Sequence, residues 1–229
     1  MASCHGIRGC SGVCRCIINE NRKVTGMDAS VFEYREVYYR LQLQGLLNDI
    51  CGVYALICQS EQHLPDDENK IRDAFGKYFF DQAYKMTTTT AKDYHYGSEV
   101  WLQLTAGRID MQFLSPNCYK HQDAFFAIEC KRLDGRSHLS KEYVDNGIRR
   151  FTKGKYPSLL GCNAMLGFVV CTIDLPATMS QINSHLEQTE YLVTTNSTMS
   201  TRVDLESRHG TPYDFVLYHL WLDFSGLVI

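Results

Sequence analysis

The chain has 229 residues, 45% hydrophobic and 21% charged, with a formal net charge of −3, a profile expected of a soluble globular protein able to bury a full core. No global basic field announces a nucleic-acid binder, so the distribution of charge matters more than its total. No unbroken run of about 18 apolar residues predicts a membrane span, and the opening MASCHGIRGCSGVCRC lacks the apolar stretch of a secretory signal; a reducing, cytoplasmic setting is the expectation.

Residues 1–30 read as an irregular cysteine-rich segment, and 31–229 as a single domain with an N-terminal helical extension. Four of the ten cysteines, Cys4, Cys10, Cys14 and Cys16, crowd the first segment beside His5. Thiolates and imidazole are the preferred ligands of Zn2+, but no C-x2-C pair occurs in the chain. A flexible or packed terminus is therefore the reading, with structural Zn2+ as the alternative. Cys51, Cys58, Cys118, Cys130, Cys162 and Cys171 sit among apolar neighbours, where free cysteine behaves as a small buried hydrophobe.

From Val31 to Cys58, Tyr38, Leu41, Leu43, Leu46, Leu47 and Ile50 recur at helical spacing and predict one or two helices. Pro65-Asp66-Asp67 interrupts, and its acids suit the start of a helix from Asp67 to about Tyr84. After Thr87–Thr90 the period shortens to two. Strands are expected at Val100–Leu104, Arg108–Leu114 and Ala124–Leu133, with turns at Ala106-Gly107 and Ser115-Pro116-Asn117. A helix over Ser140–Lys153, a doubly buried strand over Ala164–Thr172 and a helix near Met179–Gln188 follow. Strands around Tyr191–Thr195 and Phe215–Phe224 complete a mixed α/β domain.

Chemistry concentrates in Arg108-Ile-Asp110-Met-Gln-Phe and Phe126-Ala-Ile-Glu129-Cys-Lys131-Arg-Leu. Side chains two apart in a strand share a face, so Glu129 and Lys131 point together and Ile128 and Cys130 point away. If the two strands form a hairpin, Asp110 joins them at one edge. Carboxylates and a lysine inside apolar strands cost free energy unless they are paired or bind a cation. Mg2+ takes one or two carboxylates and keeps waters and substrate phosphate; it would activate a water and neutralise phosphoryl charge. Lys131 would orient or help deprotonate that water. The alternative is an ion-pair ladder on a half-exposed sheet, against which stand the apolar residues on both faces of 125–130.

Asp110 and Glu129-Cys130-Lys131 resemble the first acid and the E-x-K element of the PD-(D/E)XK nuclease superfamily, over roughly Glu68 to Thr172. Ile109 stands where proline often precedes the first acid. The resemblance implies a restriction-endonuclease-like mixed central sheet flanked by helices, and Mg2+ or Mn2+ held by Asp110 and Glu129 with catalysis assisted by Lys131. It implies hydrolysis of phosphodiester bonds, in DNA before RNA. Members often add an acid from the helix before the hairpin; Glu68 is the candidate here and Asp73 the second choice, since Glu99 is expected to begin a strand.

The stretch from Lys131 to Lys155 carries eight bases against three acids, a local excess suited to holding phosphates, or simply a solvated helix face. Within it Tyr143, Gly147 and Arg150 share one side of the expected helix. By family analogy Arg132, Tyr143, Arg149, Arg150 and Lys153 are candidate nucleic-acid contacts, and Gly147 would let the helix approach the sheet. Packing explains Tyr143 equally well. His219 is read as a hydrogen-bonded structural residue, and Ser207–Gly210 as a polar loop. No Walker-type loop is present. A weakly acidic chain without an obvious recognition domain suits a nuclease controlled by a protein partner or by homo-oligomerisation, as in bacterial antiphage defence effectors. The rival readings are an inactive nuclease-fold scaffold or nucleic-acid-binding subunit, and a zinc-stabilised interaction module.

Overall fold

A computed structural model describes residues 29–60, 63–102, 107–115, 125–156, 160–195, 202–210 and 214–229, with side chains described from Val37 onward. The N-terminal cysteines, His5 and Cys118 lie outside the described residues, as does most of the Ser115-Pro116-Asn117 turn.

Helix α1 (Ala29–Ser60) is one continuous 32-residue element. It buries Leu43, Leu46, Leu47, Ile50, Val53, Tyr54 and Ile57, the three-four spacing of an amphipathic helix. Its Val37–Ser60 portion is long and apolar enough to cross a membrane by length and composition; here its apolar stripe packs into the core. The next expected helix divides at Asp81 into α2 (Glu68–Phe80) and α3 (Gln82–Lys85). Asp67 and Asp81 each turn a carboxylate onto two free backbone N–H groups at the following helix start.

Seven strands form one sheet in the order β1-β2-β3-β4-β7-β6-β5. They are β1 (His95–Leu102), β2 (Gly107–Leu114), β3 (Phe125–Leu133), β4 (Cys162–Val169), β5 (Val193–Thr194), β6 (Arg202–His209) and β7 (Phe215–Asp223). The centre, β3-β4-β7, is parallel, and both flanks are antiparallel. Every residue of β4 is buried, as expected for a parallel strand covered on both faces. The α1–α2 layer packs on Phe126, Ile128, Cys130, Leu166 and Phe168. The opposite layer packs on Ala127, Met165, Leu217 and Trp221; it comprises α4 (Ser137–Tyr143), a π turn at Val144–Ile148, α5 (Arg149–Thr152) and α6 (Leu175–Asn183). The chain is thus a mixed α/β protein with helices on both faces of a mixed sheet.

Three expectations need correction. Ser207–His209 ends strand β6 rather than lying in a polar loop, and its alternating burial is that of a strand with one covered face. Alternating Arg, Asp, Glu and Ser made that strand look like loop, because only Val203, Leu205 and the buried polar pair Ser207 and His209 face inward. Strand β1 begins at His95, which puts Glu99 within it. Cys58 and Cys171 are exposed and Cys51 is half-buried; only Cys130 and Cys162 of the described cysteines are fully buried.

Candidate active site

Strands β2 and β3 pair regularly from Leu114↔Phe125 to Met111↔Ile128, and there the ladder stops. The next rung is replaced by a side chain: Cys130 donates its backbone N–H to Asp110 Oδ2 at 2.8 Å. The alternation of β2 breaks at the same place, since Met111 and Phe113 pack with α1–α2 and Ile109 with the opposite layer. Opening the two strands lets groups from both layers reach the gap.

Glu129, fully buried, occupies that gap. Its Oε1 lies 3.0 Å from Lys131 Nζ and 2.8 Å from an Arg150 guanidinium nitrogen, and its Oε2 accepts a hydrogen bond from Tyr156 Oη at 2.8 Å. Neither cation aligns a hydrogen bond on Oε1, which is held by charge alone. Burial pushes the Glu129 carboxyl up to about 7; Lys131 and Arg150 oppose that shift and Asp110 reinforces it. Lys131 Nζ also contacts Glu68 Oε1 at 2.9 Å and the Cys130 carbonyl at 2.7 Å. Burial works against its charge, yet Glu129, Glu68 and Asp110 outweigh it and hold the ammonium above the usual lysine range.

The three motif residues and Glu68 therefore converge, as expected. The Glu129 and Lys131 side chains leave the opposite face to Ile128 and Cys130, which join the α1–α2 core. Gly147 closes the layer over Lys131: an added Cβ would lie 2.4 Å from Met165 Cε and 3.5 Å from Lys131 Cγ. The helix approaches closely here because no side chain intervenes.

Of the five candidate nucleic-acid contacts, Arg150 lies in the site against Glu129. Arg132 is at its rim, its backbone N–H on Glu68 Oε2 and its guanidinium on Asp66. Arg149 points elsewhere, paired with Asp145 and the His185 carbonyl, and Lys153 is exposed beyond α5. Tyr143 is corrected: it is fully buried, with its hydroxyl bonded to His219 Nδ1 and Trp221 Nε1. A ring sealed in the core has no face to offer a nucleic acid.

Two site residues were not legible in advance. Arg72, 3% exposed, crosses from α2 to within 3.5 Å of Asp110 Oδ1 and also pairs with Asp73 and Glu99. The available signal was an arginine one helical turn after Glu68, among the buried Ile71, Ala74 and Phe75. Tyr156 carries no comparable signal. Glu99 adopts a left-handed backbone, φ 53°, strained for a non-glycine residue; its carboxylate bridges Arg72 and Arg108.

Among the described residues no group of three or more His, Cys, Asp or Glu side chains is arranged as a metal cage. Mg2+ does not require one, since one or two carboxylates with water and phosphate suffice. Asp110 and Glu129, with a buried Oε1 that has no aligned donor, fit that demand.

A second polar row runs through β6 and β7. With the Glu190 carboxylate accepting from His209 Nδ1, the row takes one direction, in which Tyr143 accepts from Trp221 Nε1–H and donates to His219 Nδ1. His219 Nε2 then donates to Ser207 Oγ, Ser207 to His209 Nε2, and His209 Nδ1 to Glu190. Ser207, His209 and Glu190 have the order of a hydrolase triad. Ser207, however, is fully buried and bonded on both sides by imidazoles, so the row is structural, as expected for His219. No family model, curated protein or solved structure matches the chain.

Proposed function

We propose that this chain is a metal-dependent nuclease of the PD-(D/E)XK type, hydrolysing phosphodiester bonds in DNA with Mg2+ or Mn2+. The observation that carries the reading is the convergence of Asp110, Glu129 and Lys131 where the β2–β3 ladder opens. Asp110 and Glu129 would hold the cation, with Glu68 at its margin. The bound cation would supply an activated water and charge neutralisation at phosphorus. Lys131, held protonated by three carboxylates, acts as a fixed positive charge on the developing phosphorane rather than as a base. Arg150 is positioned to leave Glu129 for a phosphate oxygen, for which its planar guanidinium is suited. Control by a protein partner or by self-association, as in an antiphage effector in the cytoplasm, rests on the family resemblance.

The test is Mg2+- or Mn2+-dependent cleavage of plasmid and single-stranded DNA by wild type, Glu129→Ala and Lys131→Ala, with folding checked by circular dichroism. Cleavage lost in both folded variants supports the reading; cleavage surviving both overturns the site. One observation favours a second reading, an inactive scaffold. Arg72, Lys131 and Arg150 all pair with the site's carboxylates, and a self-neutralised network needs no metal. Calorimetry with Mn2+ separates the two, since a scaffold of that kind takes up no cation.

A further inference from the structure

At the far end of β1 and β2 from Glu99 and Asp110 lies a cavity of about 520 Å³, within the range of small-molecule sites. It is bounded by α1, α3, the start of β1 and the end of β2. Glu99 lies four strand steps beyond His95, so the cavity stands about 13 Å along the sheet from the carboxylate cluster. In its wall is Lys85, the last residue of α3 and only 8% exposed. Among the described residues no carboxylate or other acceptor meets its ammonium, although the remaining buried cations there, Arg72 and Lys131, are each paired. Burial alone, with no opposing charge, lowers its pKa from the ordinary lysine value. The covered stem leaves the ammonium as the part of Lys85 that opens on the cavity, where an anion would give it a charge-assisted hydrogen bond.

The rest of the wall offers donors. Lys92 adds a second ammonium, Gln82 and Ser115 an amide and a hydroxyl, and Tyr38 an exposed ring and hydroxyl. Gln42 uses its carbonyl oxygen to accept from Tyr94 Oη at 3.1 Å, which leaves its NH2 group as the donor. Asp93 is the one acid among the described residues of the wall. A donor-rich cavity with two lysines and an aromatic edge selects an acceptor-rich anion with a flat body.

We infer that this cavity is a second ligand site, for a small phosphate-bearing molecule of about mononucleotide size, with its phosphate on Lys85 and Lys92. The inference does not rest on the nuclease reading.

The full chain is titrated by calorimetry and thermal denaturation with sodium phosphate, deoxyadenosine monophosphate and uridine monophosphate, each against sodium chloride of matched ionic strength. Saturable binding with a rise in Tm is expected for at least one phosphate probe. Lys85→Met keeps the volume and removes the charge; it should fold with an unliganded Tm at or above that of wild type and bind about tenfold more weakly or worse. Lys141→Met, at an exposed position of α4, should bind as wild type does. Phosphate binding as tightly as the nucleotides overturns the mononucleotide-sized ligand, since the base and sugar then contribute nothing. No saturable binding by wild type overturns the inference, as does equal affinity in Lys85→Met. Binding confined to a single-stranded oligonucleotide, with mononucleotides and phosphate inert, overturns it in favour of a nucleic-acid surface.

Discussion

The carboxylate of Asp110 takes the place of a rung in the β-sheet, accepting the backbone N–H of Cys130 at 2.8 Å where the β2–β3 ladder ends. One oxygen thus does a structural task and leaves the other, Oδ1, facing Arg72 at 3.5 Å. The acid is therefore part of both the fold and the proposed metal site, and the two roles separate by substitution.

Asp110→Asn retains an oxygen for the Cys130 N–H, and its unfolding free energy in urea should stay within about 1 kcal/mol of wild type. Asp110→Ala orphans a buried N–H and should cost about 1–3 kcal/mol. Both should lose Mn2+ binding in calorimetry. Equal destabilisation by the two substitutions would show that Asp110 does not cap this N–H.

Arg150 and a cation compete for the same oxygen of Glu129. Arg150→Gln, measured at pH 8, should bind Mn2+ several-fold more tightly than wild type while cleaving DNA more slowly, because the phosphate loses its guanidinium. Affinity and rate moving down together would mean that Arg150 merely holds the site's shape.

Mn2+ affinity should also depend on pH. A ligand carboxylate must shed its proton, and burial holds that of Glu129 at about 7. The apparent Kd should weaken by up to about tenfold per unit as pH falls below 7. A flat profile between pH 6 and 8 would place the ligand elsewhere.

Two buried groups give opposing contributions to stability against pH. The folded pKa of Glu129 is raised, so its contribution is fully present below the unfolded carboxyl value and is lost as pH rises through about 7. Burial lowers His219 to about 3, so its contribution is present above about 6.5 and is lost as pH falls toward 3. Between about pH 6.5 and 4.5 the two slopes oppose each other. Glu129→Gln should uncover the histidine slope, a loss of about 1.4 kcal/mol per pH unit, to which His209, also lowered by burial, adds. Urea midpoints at pH 6.5, 5.5 and 4.5 give the comparison; a variant no more acid-sensitive than wild type would refute it.

Gly167 lets β4 lie against the row that begins at Trp221. An added Cβ would stand 2.5 Å from Trp221 Cδ1 and 2.8 Å from Leu133 Cδ1. Both are sealed in the core, so Gly167→Ala should cost about 1–3 kcal/mol from overpacking. Gly226→Ala, with nothing within 4 Å, should be neutral or slightly stabilising. Thermal denaturation of the pair reads the difference.

Features that depend on local period and chemistry were legible from the residues alone. The three-four spacing in α1 and the two-residue alternation of β2 and β3 gave the elements, and the alternation placed Glu129 beside Lys131 and away from Ile128. The missing side chain of Gly147 marked the close approach of a helix. Tertiary structure decided what arrives from a distance. Arg72 and Tyr156 enter the site from α2 and from beyond α5, and no spacing within β2 or β3 encodes them. Tyr143 turns into the core rather than toward a ligand, because its hydroxyl is bonded to His219 and Trp221 on β7. Strand β6 was illegible because its inward Ser207 and His209 are made compatible with burial by partners on other elements. A polar residue's local neighbours set its cost of burial, but only the folded chain supplies the group that offsets it.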